Sequence, residues 1–197
     1  MKIGIDVDGV IFDFEKELRT KAELYDLLVL NGTGVKDNSK FNLAERYRWN
    51  KVDGENFINK YFIEVSKKVN IIPGAKEVIN LLERDGHELI IISSRGYDNI
   101  EMQQIAENRL KEENLTFQKY YWKVLDKLNI CLKEQIDLMI DDNYEICKRL
   151  SEMKINTVYL RDVGKMKFEE NNYLKEVNSW GGIYRYIYNK SIYKYKK

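Results

Sequence analysis

Leu89-Ile90-Ile91-Ile92 is apolar at every position. A strand with one wet face alternates apolar and polar residues, so an unbroken run of this kind predicts a strand covered on both faces, as in a parallel sheet. The same reading extends along the chain. Lys2–Val7 is short, β-branched and closed by Asp8-Gly9, which predicts a first strand ending in a tight turn. Pro73-Gly74 precede Val78, Leu81 and Leu82 at helical spacing, and Asp85-Gly86 end that helix. Met102, Ile105, Ala106 and Leu110 form one stripe of a helix over about Ile100–Glu113. A weaker strand is expected at Phe117–Tyr121. A helix over about Lys123–Leu132 should turn Leu125, Leu128 and Cys131 or Leu132 inward. Ile136–Ile140 then reads as a strand ending in Asp141-Asp142. Tyr144–Met153 reads as a helix burying Ile146, Cys147, Leu150 and Met153. Asn156–Leu160 is a further strand, and a last helix is expected through about Asn172–Tyr188.

Strands alternating with helices at this spacing imply right-handed crossovers and a parallel sheet with helices on both faces, a three-layer α/β/α, Rossmann-like architecture. One interval departs from the alternation. Between Phe14 and Ile72 there is a helical pattern (Leu18, Leu24, Leu27, Leu28), a turn at Asn31-Gly32-Thr33-Gly34, and an aromatic region through Trp49, Phe57, Tyr61 and Phe62. We read residues 14–72 as a small, mostly helical insert, leaving 1–13 and 73–197 as one core.

The 197 residues suit a single domain with an insert. Hydrophobic residues make up 44% and charged residues 33%, enough apolar material for a core. Lys+Arg number 33 and Asp+Glu 32, so the net charge of +1 supplies no general field for nucleic acid or an anionic membrane. No run reaches the ~18 apolar residues of a membrane span, and Asp6 interrupts any apolar leader. Cys131 and Cys147 form no CxxC pair and His87 is the lone histidine, so a disulfide scaffold, a structural zinc site and a multi-histidine centre are all unexpected. A reducing cytoplasm is the expected compartment, the cysteines are expected as small core residues, and His87 as a structural residue. The basic, tyrosine-rich C-terminus (Arg185, Lys190, Lys194, Lys196, Lys197) is expected to pack Trp180, Ile183 and Ile187 on the sheet and to fray after Asn189.

Open parallel sheets bind ligands beyond the carboxyl ends of their strands. There the chain places Asp6, Asp8 and Gly9 after the first strand, Ser93, Ser94 and Arg95 after the second, and Asp141 and Asp142 after the fourth. Lys127 lies in the preceding helix. Clustered carboxylates repel one another unless a cation sits among them, and all-oxygen ligation favours Mg²⁺. A carboxylate there can attack phosphorus, and a second Asp two residues on can serve the leaving oxygen as acid and the attacking water as base. Lys127 and the hydroxyls suit phosphate oxygens, and Gly9 lets backbone approach them without a Cβ. Lys123 and Lys133 compete with Lys127. Arg95 has even claims as a phosphate contact and as the partner of a surface acid. Phe14, Phe41, Trp49 and Tyr61 can line a base pocket or pack the insert, and Arg46 and Arg48 can meet a substrate anion but read first as a solvated face.

The ordered set Asp6-x-Asp8-Gly9-Val10, an apolar strand ending in Ser93, Lys127, and Asp141-Asp142 after an apolar strand resembles the four motifs of the haloacid dehalogenase-like hydrolase superfamily. The resemblance implies Asp6 as nucleophile and Asp8 as general acid and base. It implies Ser93 and Lys127 as phosphate ligands, and Mg²⁺ held by Asp6, the Asp8 carbonyl and the Asp141-Asp142 pair, with the insert as a cap. Asp13-Phe14-Glu15 adds a likeness to the deoxyribonucleotidase (5'-nucleotidase type C) branch, with Phe14 beside the base. A nucleoside monophosphate is therefore the favoured substrate here. A sugar phosphate or other non-nucleotide metabolite is the alternative, and a phospho-accepting regulatory domain without turnover is the competitor from another class.

Overall fold

The structure is a computed structural model. It describes residues 1–40, 42–161 and 170–195, the last five through their backbone alone. Phe41, the Lys194 side chain, Lys196 and Lys197 lie outside the described residues.

The chain opens with β1 (Lys2–Ile5), followed by α1 (Phe14–Leu28), α2 (Leu43–Tyr47) and α3 (Lys51–Lys68). Then come α4 (Ala75–Arg84), β2 (Glu88–Ile92), α5 (Ile100–Glu112), β3 (Lys119–Tyr121), α6 (Lys127–Glu134), β4 (Leu138–Asp141), α7 (Tyr144–Glu152), β5 (Asn156–Leu160), β6 (Leu174–Val177) and α8 (Trp180–Tyr195). The strands form one six-stranded sheet in the order β3-β2-β1-β4-β5-β6. Every pairing in it is parallel.

The continuous apolar run of β2 has the cause expected of it. Leu89 and Ile91 pack with Val78, Ile79 and Leu82 of α4, Leu110 of α5 and Ile183 and Ile187 of α8. Ile90 and Ile92 face the opposite way, onto Cys131 of α6, Met139 of β4 and Leu150 of α7. Residues two apart share a face, so one strand serves two cores and the architecture is three-layered. Each fully buried side chain of this size contributes about 1.5–3 kcal/mol. Trp180 is fully buried, and its indole Nε1 donates to the Val10 carbonyl at 2.8 Å, fixing α8 to the loop after β1.

Several expectations are corrected. Residues 172–179 are not helical: Leu174–Val177 form edge strand β6, and the helix starts at Trp180. Only Leu174 of β6 is buried, as befits a polar edge strand, and a single apolar contact leaves little pattern to read. Helix α6 begins at Lys127 rather than Lys123, which leaves Leu125 exposed; of Cys131 and Leu132 it is Cys131 that turns inward. Met153 is exposed because α7 ends one residue earlier. β3 covers only the last three residues of the strand expected at Phe117–Tyr121. In α1 it is Leu18, Ala22 and Tyr25 that turn inward, while Leu24, Leu27 and Leu28 face solvent.

The insert leaves and rejoins the core through two segments that lie side by side. Asp13 N donates to the Asn70 carbonyl at 2.9 Å and Ile72 N to the Ile11 carbonyl at 2.8 Å. Helices α1, α2 and α3 therefore stand on a paired stalk at the carboxyl edge of the sheet.

Candidate active site

The loop after β1 makes the site. Asp6 N still donates to the Ile140 carbonyl of β4 at 3.0 Å, so Asp6 keeps strand register. Beyond it the Val7 carbonyl accepts from Ile11 N (2.8 Å) and Phe12 N (3.0 Å), and Gly9 N donates to the Phe12 carbonyl. This winding needs Gly9 at φ +71°, where a Cβ would also lie 2.0 Å from Asp142 Oδ2. The β1 loop and the end of β4 are thereby held against each other.

Oxygens of Asp6, Asp141 and Asp142 come within 4.8 Å of one another, and all three residues are buried. Lys127, at the first position of α6, reaches them along the sheet edge. Its Nζ donates to Asp141 Oδ2 at 2.7 Å and stands 3.0 Å from Asp6 Oδ1. The second oxygen of Asp141 accepts from Asn143 N at 2.8 Å. Burial alone pulls a lysine down, but Asp141 and Asp6 reverse this and hold the ammonium above the usual lysine range. Asp141 is also shifted upward: burial raises its carboxyl, against the lowering effect of Lys127. One ammonium among three carboxylates leaves an excess of negative charge in a dry place.

Asp8 has a separate partner. Arg95 Nη1 lies 3.2 Å from Asp8 Oδ1. Burial raises the Asp8 carboxyl, Arg95 lowers it and Asp6 raises it, for a net upward shift. Cys147 and Cys131 offer no nucleophile: burial pushes the first thiol well up and the second to about 12.

A cavity of about 410 Å³ opens above these groups. Its floor is Asp6, Asp8, Lys127, Asp142, Asn143 and Ser94. The insert supplies the walls: Phe14, Leu18, Leu43, Ala44, Trp49, Phe57, Ile58 and Phe62, with Glu15 and Asn42. Phe14 and Trp49 thus stand where a substrate pocket was expected. Trp49 is held there by Asp26, which accepts from its Nε1 at 2.7 Å. Tyr61 sits behind Phe57 at 5.1 Å between ring centres, in the packing of the insert.

Other placements differ from expectation. Arg95 does not line the cavity; it lies beneath the insert, its guanidinium held between the Asp8 carboxylate and the Phe14 ring. Arg46 is buried beside Glu15 at 3.4 Å rather than solvated, while Arg48 is exposed. Ser93 is buried with its Oγ accepting from Arg95 N at 3.3 Å, and Ser94 is the hydroxyl that lines the cavity. Lys133 is exposed at the far end of α6, over the Tyr121 ring, and Lys123 is exposed in the loop before it. Sequence reasoning missed Ser66 and Phe62 on α3, and Leu18, Leu43 and Ile58 as wall residues. Their spacing is that of ordinary helix packing, and nothing local marks them.

No protein-family model matches the chain, and no curated protein sequence matches it. Solved structures do. A haloacid dehalogenase-like hydrolase from Streptococcus pneumoniae superposes with a TM-score of 0.65 at 13% identity, covering 94% of this chain and 97% of that one. A haloacid dehalogenase-like family hydrolase from Xanthomonas campestris gives 0.61 at 14% identity, covering 100% and 98%. The protein CbbY from Rhodobacter sphaeroides, in complex with xylulose-1,5-bisphosphate, gives 0.58 at 13% identity, covering 91% and 94%. The chain has the haloacid dehalogenase-like fold. At such identities the likeness speaks for the fold, and the chemistry has to be argued from the residues. Among the described residues no helix is long and apolar enough to cross a membrane.

Proposed function

We propose that this haloacid dehalogenase-like chain is a phosphomonoesterase acting on a small phosphorylated metabolite. One observation carries the reading: Asp6, Lys127 and Asp142, with Asp141 buried behind them, stand at the floor of a cavity whose walls come from the insert. In this reading residues 1–13 and 73–197 are the catalytic core and 14–72 the cap.

Three buried carboxylates with oxygens within 4.8 Å and a single ammonium among them are a hard-ligand set short of positive charge, which suits Mg²⁺. Asp6, the Asp8 carbonyl, Asp141 and Asp142 would hold it. Bound there, the ion would offset charge on the phosphoryl oxygens and on the acid cluster. The chain's own groups do the rest. Lys127, with Ser93 or Ser94 and the backbone at Gly9, receives the phosphoryl oxygens. An Asp6 carboxylate oxygen attacks phosphorus, the bond from phosphorus to the ester oxygen breaks, and Asp8 delivers its proton to that oxygen, releasing an alcohol. Asp8, now ionised, takes a proton from water. The water oxygen attacks phosphorus, the acyl phosphate bond breaks, and inorganic phosphate leaves with Asp6 restored.

On the substrate, a sugar phosphate or another non-nucleotide ester has the better support, since the Rhodobacter sphaeroides protein of the same fold holds xylulose-1,5-bisphosphate. A nucleoside monophosphate is the second reading, favoured by the aromatic walls of Phe14, Trp49, Phe57 and Phe62. A phosphate-release screen over both classes, with Mg²⁺ and with a chelator, decides between them. Asp6→Asn should lower release from an aryl phosphate by at least about a thousandfold, with circular dichroism unchanged. Wild-type rates in that variant would end the proposal, and a stable acyl phosphate without turnover would favour a regulatory phospho-acceptor.

A further inference from the structure

Arg95 is the least expected charge in the molecule, because its guanidinium is almost wholly buried and touches three separate elements. Nη1 is 3.2 Å from Asp8 Oδ1, in the loop after β1. Nη2 donates to Ser66 Oγ of α3 at 2.7 Å. The planar group lies over the Phe14 ring of α1, 4.9 Å from its centre. Its own backbone is fixed on the core side, with Arg95 N donating to Ser93 Oγ. Ser66 is itself anchored, donating to the Phe62 carbonyl at 2.7 Å. Phe14 meets Phe62 edge to face at 5.5 Å, and both rings line the cavity. Burying a guanidinium is costly even when it is paired, and an apolar residue would fill the same space at less cost.

We propose that Arg95 is a positioning residue that aims the Asp8 carboxylate and makes that aim depend on how α1 and α3 sit over the sheet. The paired stalk at Asp13–Asn70 and Ile11–Ile72 is the only described backbone link between insert and core, so the insert's remaining seat is set by side chains. A shift of α3 that breaks the Ser66 bond, or of α1 that lifts Phe14, removes one of the contacts that orient the fork. The fork carries that change to Asp8. An occupant of the cavity presses on Phe14 and Phe62, and so acts on the same lever.

The inference rests on the proposed phosphatase reading, and the test separates the two. An alkyl phosphate has a poor leaving group and needs Asp8 to protonate it, whereas p-nitrophenyl phosphate does not. Asp8→Asn should therefore lose about a hundredfold in kcat on the alkyl ester and much less on the aryl ester. Arg95→Met should show the same split in smaller measure, about tenfold on the alkyl ester and under about threefold on the aryl one, with KM little changed. Arg95→Lys should recover part of the loss, because an ammonium reaches Asp8 but cannot also bridge to Ser66. Ser66→Ala retains the charge pair and cuts only the tie to α3. It should fold normally and show a weaker split in the same direction. Equal losses on the two esters in Arg95→Met, or a Ser66→Ala enzyme identical to wild type, would overturn the inference while the Asp8→Asn split upheld the phosphatase reading. A wild-type chain that hydrolyses neither ester would overturn both.

Discussion

The two ends of the sheet are built from the same strands and treat charge in opposite ways. At the carboxyl end Asp6, Asp141, Asp142, Lys127 and Arg95 are all buried, and ions face one another at 2.7–3.2 Å beneath the cavity. At the amino end polar groups are paired and half open. Lys2 N donates to Asp137 Oδ2 at 2.8 Å, the Tyr184 hydroxyl to Asp85 Oδ2 at 2.9 Å, and Asn156 Nδ2 to the Asp137 carbonyl at 3.1 Å. Groups that serve stability alone can stay near water, where desolvation is small. Groups crowded into a dry edge carry a desolvation cost that a ligand can offset. The contrast sets the carboxyl end apart as the place where a ligand would offset the most charge, and it does so without reference to any relative.

Lys127→Met should expose the difference most strongly. It leaves Asp6 and Asp141 buried without their ammonium, a loss of about 3–5 kcal/mol in denaturant unfolding. At the other end Tyr184→Phe removes one exposed hydrogen bond and should cost no more than about 1 kcal/mol. Similar costs for the two would break the contrast.

Two glycines sharpen it further, because both have the left-handed backbone that disfavours a side chain. Gly86, at the amino end, has φ +79° and nothing within 4 Å of an added Cβ. Gly86→Ala should therefore show only the backbone penalty, about 1–2 kcal/mol. Gly9 has φ +71° with Asp142 Oδ2 2.0 Å from the added atom. Gly9→Ala should cost at least about 1 kcal/mol more than its counterpart, since a buried carboxylate must move. It should also weaken any rise in Tm produced by Mg²⁺. Matching Tm losses would show that the clash is relieved freely.

The core of this arrangement is legible in the sequence because it depends on strand register. Asp6 and Asp141 follow apolar runs that have one way to lie in a parallel sheet, and the loops that follow must emerge at one edge. Lys127 is harder to find, since the helix carrying it starts four residues later than the apolar pattern suggests. What escapes the sequence is set by contacts between distant segments. Arg46 looks like a surface cation, and Arg95 like a phosphate contact or the partner of a surface acid, until Glu15 and Asp8 arrive from elsewhere in the chain. Leu24, Leu27 and Leu28 have helical spacing but lie on the outer side of α1, because Leu18, Ala22 and Tyr25 meet the rest of the insert. Ser66 lies in the last turn of α3 with no local mark at all. β6 is hidden because an edge strand needs only one buried residue, Leu174.

The smallest predicted effect tests the quiet end by itself. His87 precedes β2 and is half-buried, and burial holds its imidazole below the ordinary histidine value, against the upward pull of Asp85 and Asp137. A histidine whose folded pKa is depressed binds its proton more readily when the chain unfolds. Stability is therefore full above the unfolded pKa of about 6.5 and declines as pH falls from there toward the lower folded value. His87→Gln removes this titration. Between pH 7 and pH 5 the Tm of the wild type should drop slightly more than that of His87→Gln, with the two curves parallel above pH 7. The difference should be small, because the ring keeps access to solvent and the flanking carboxylates oppose the shift. Equal slopes through the whole acid range would mean that His87 is not held neutral by its surroundings, and that the amino end is indifferent even to the one histidine in the chain.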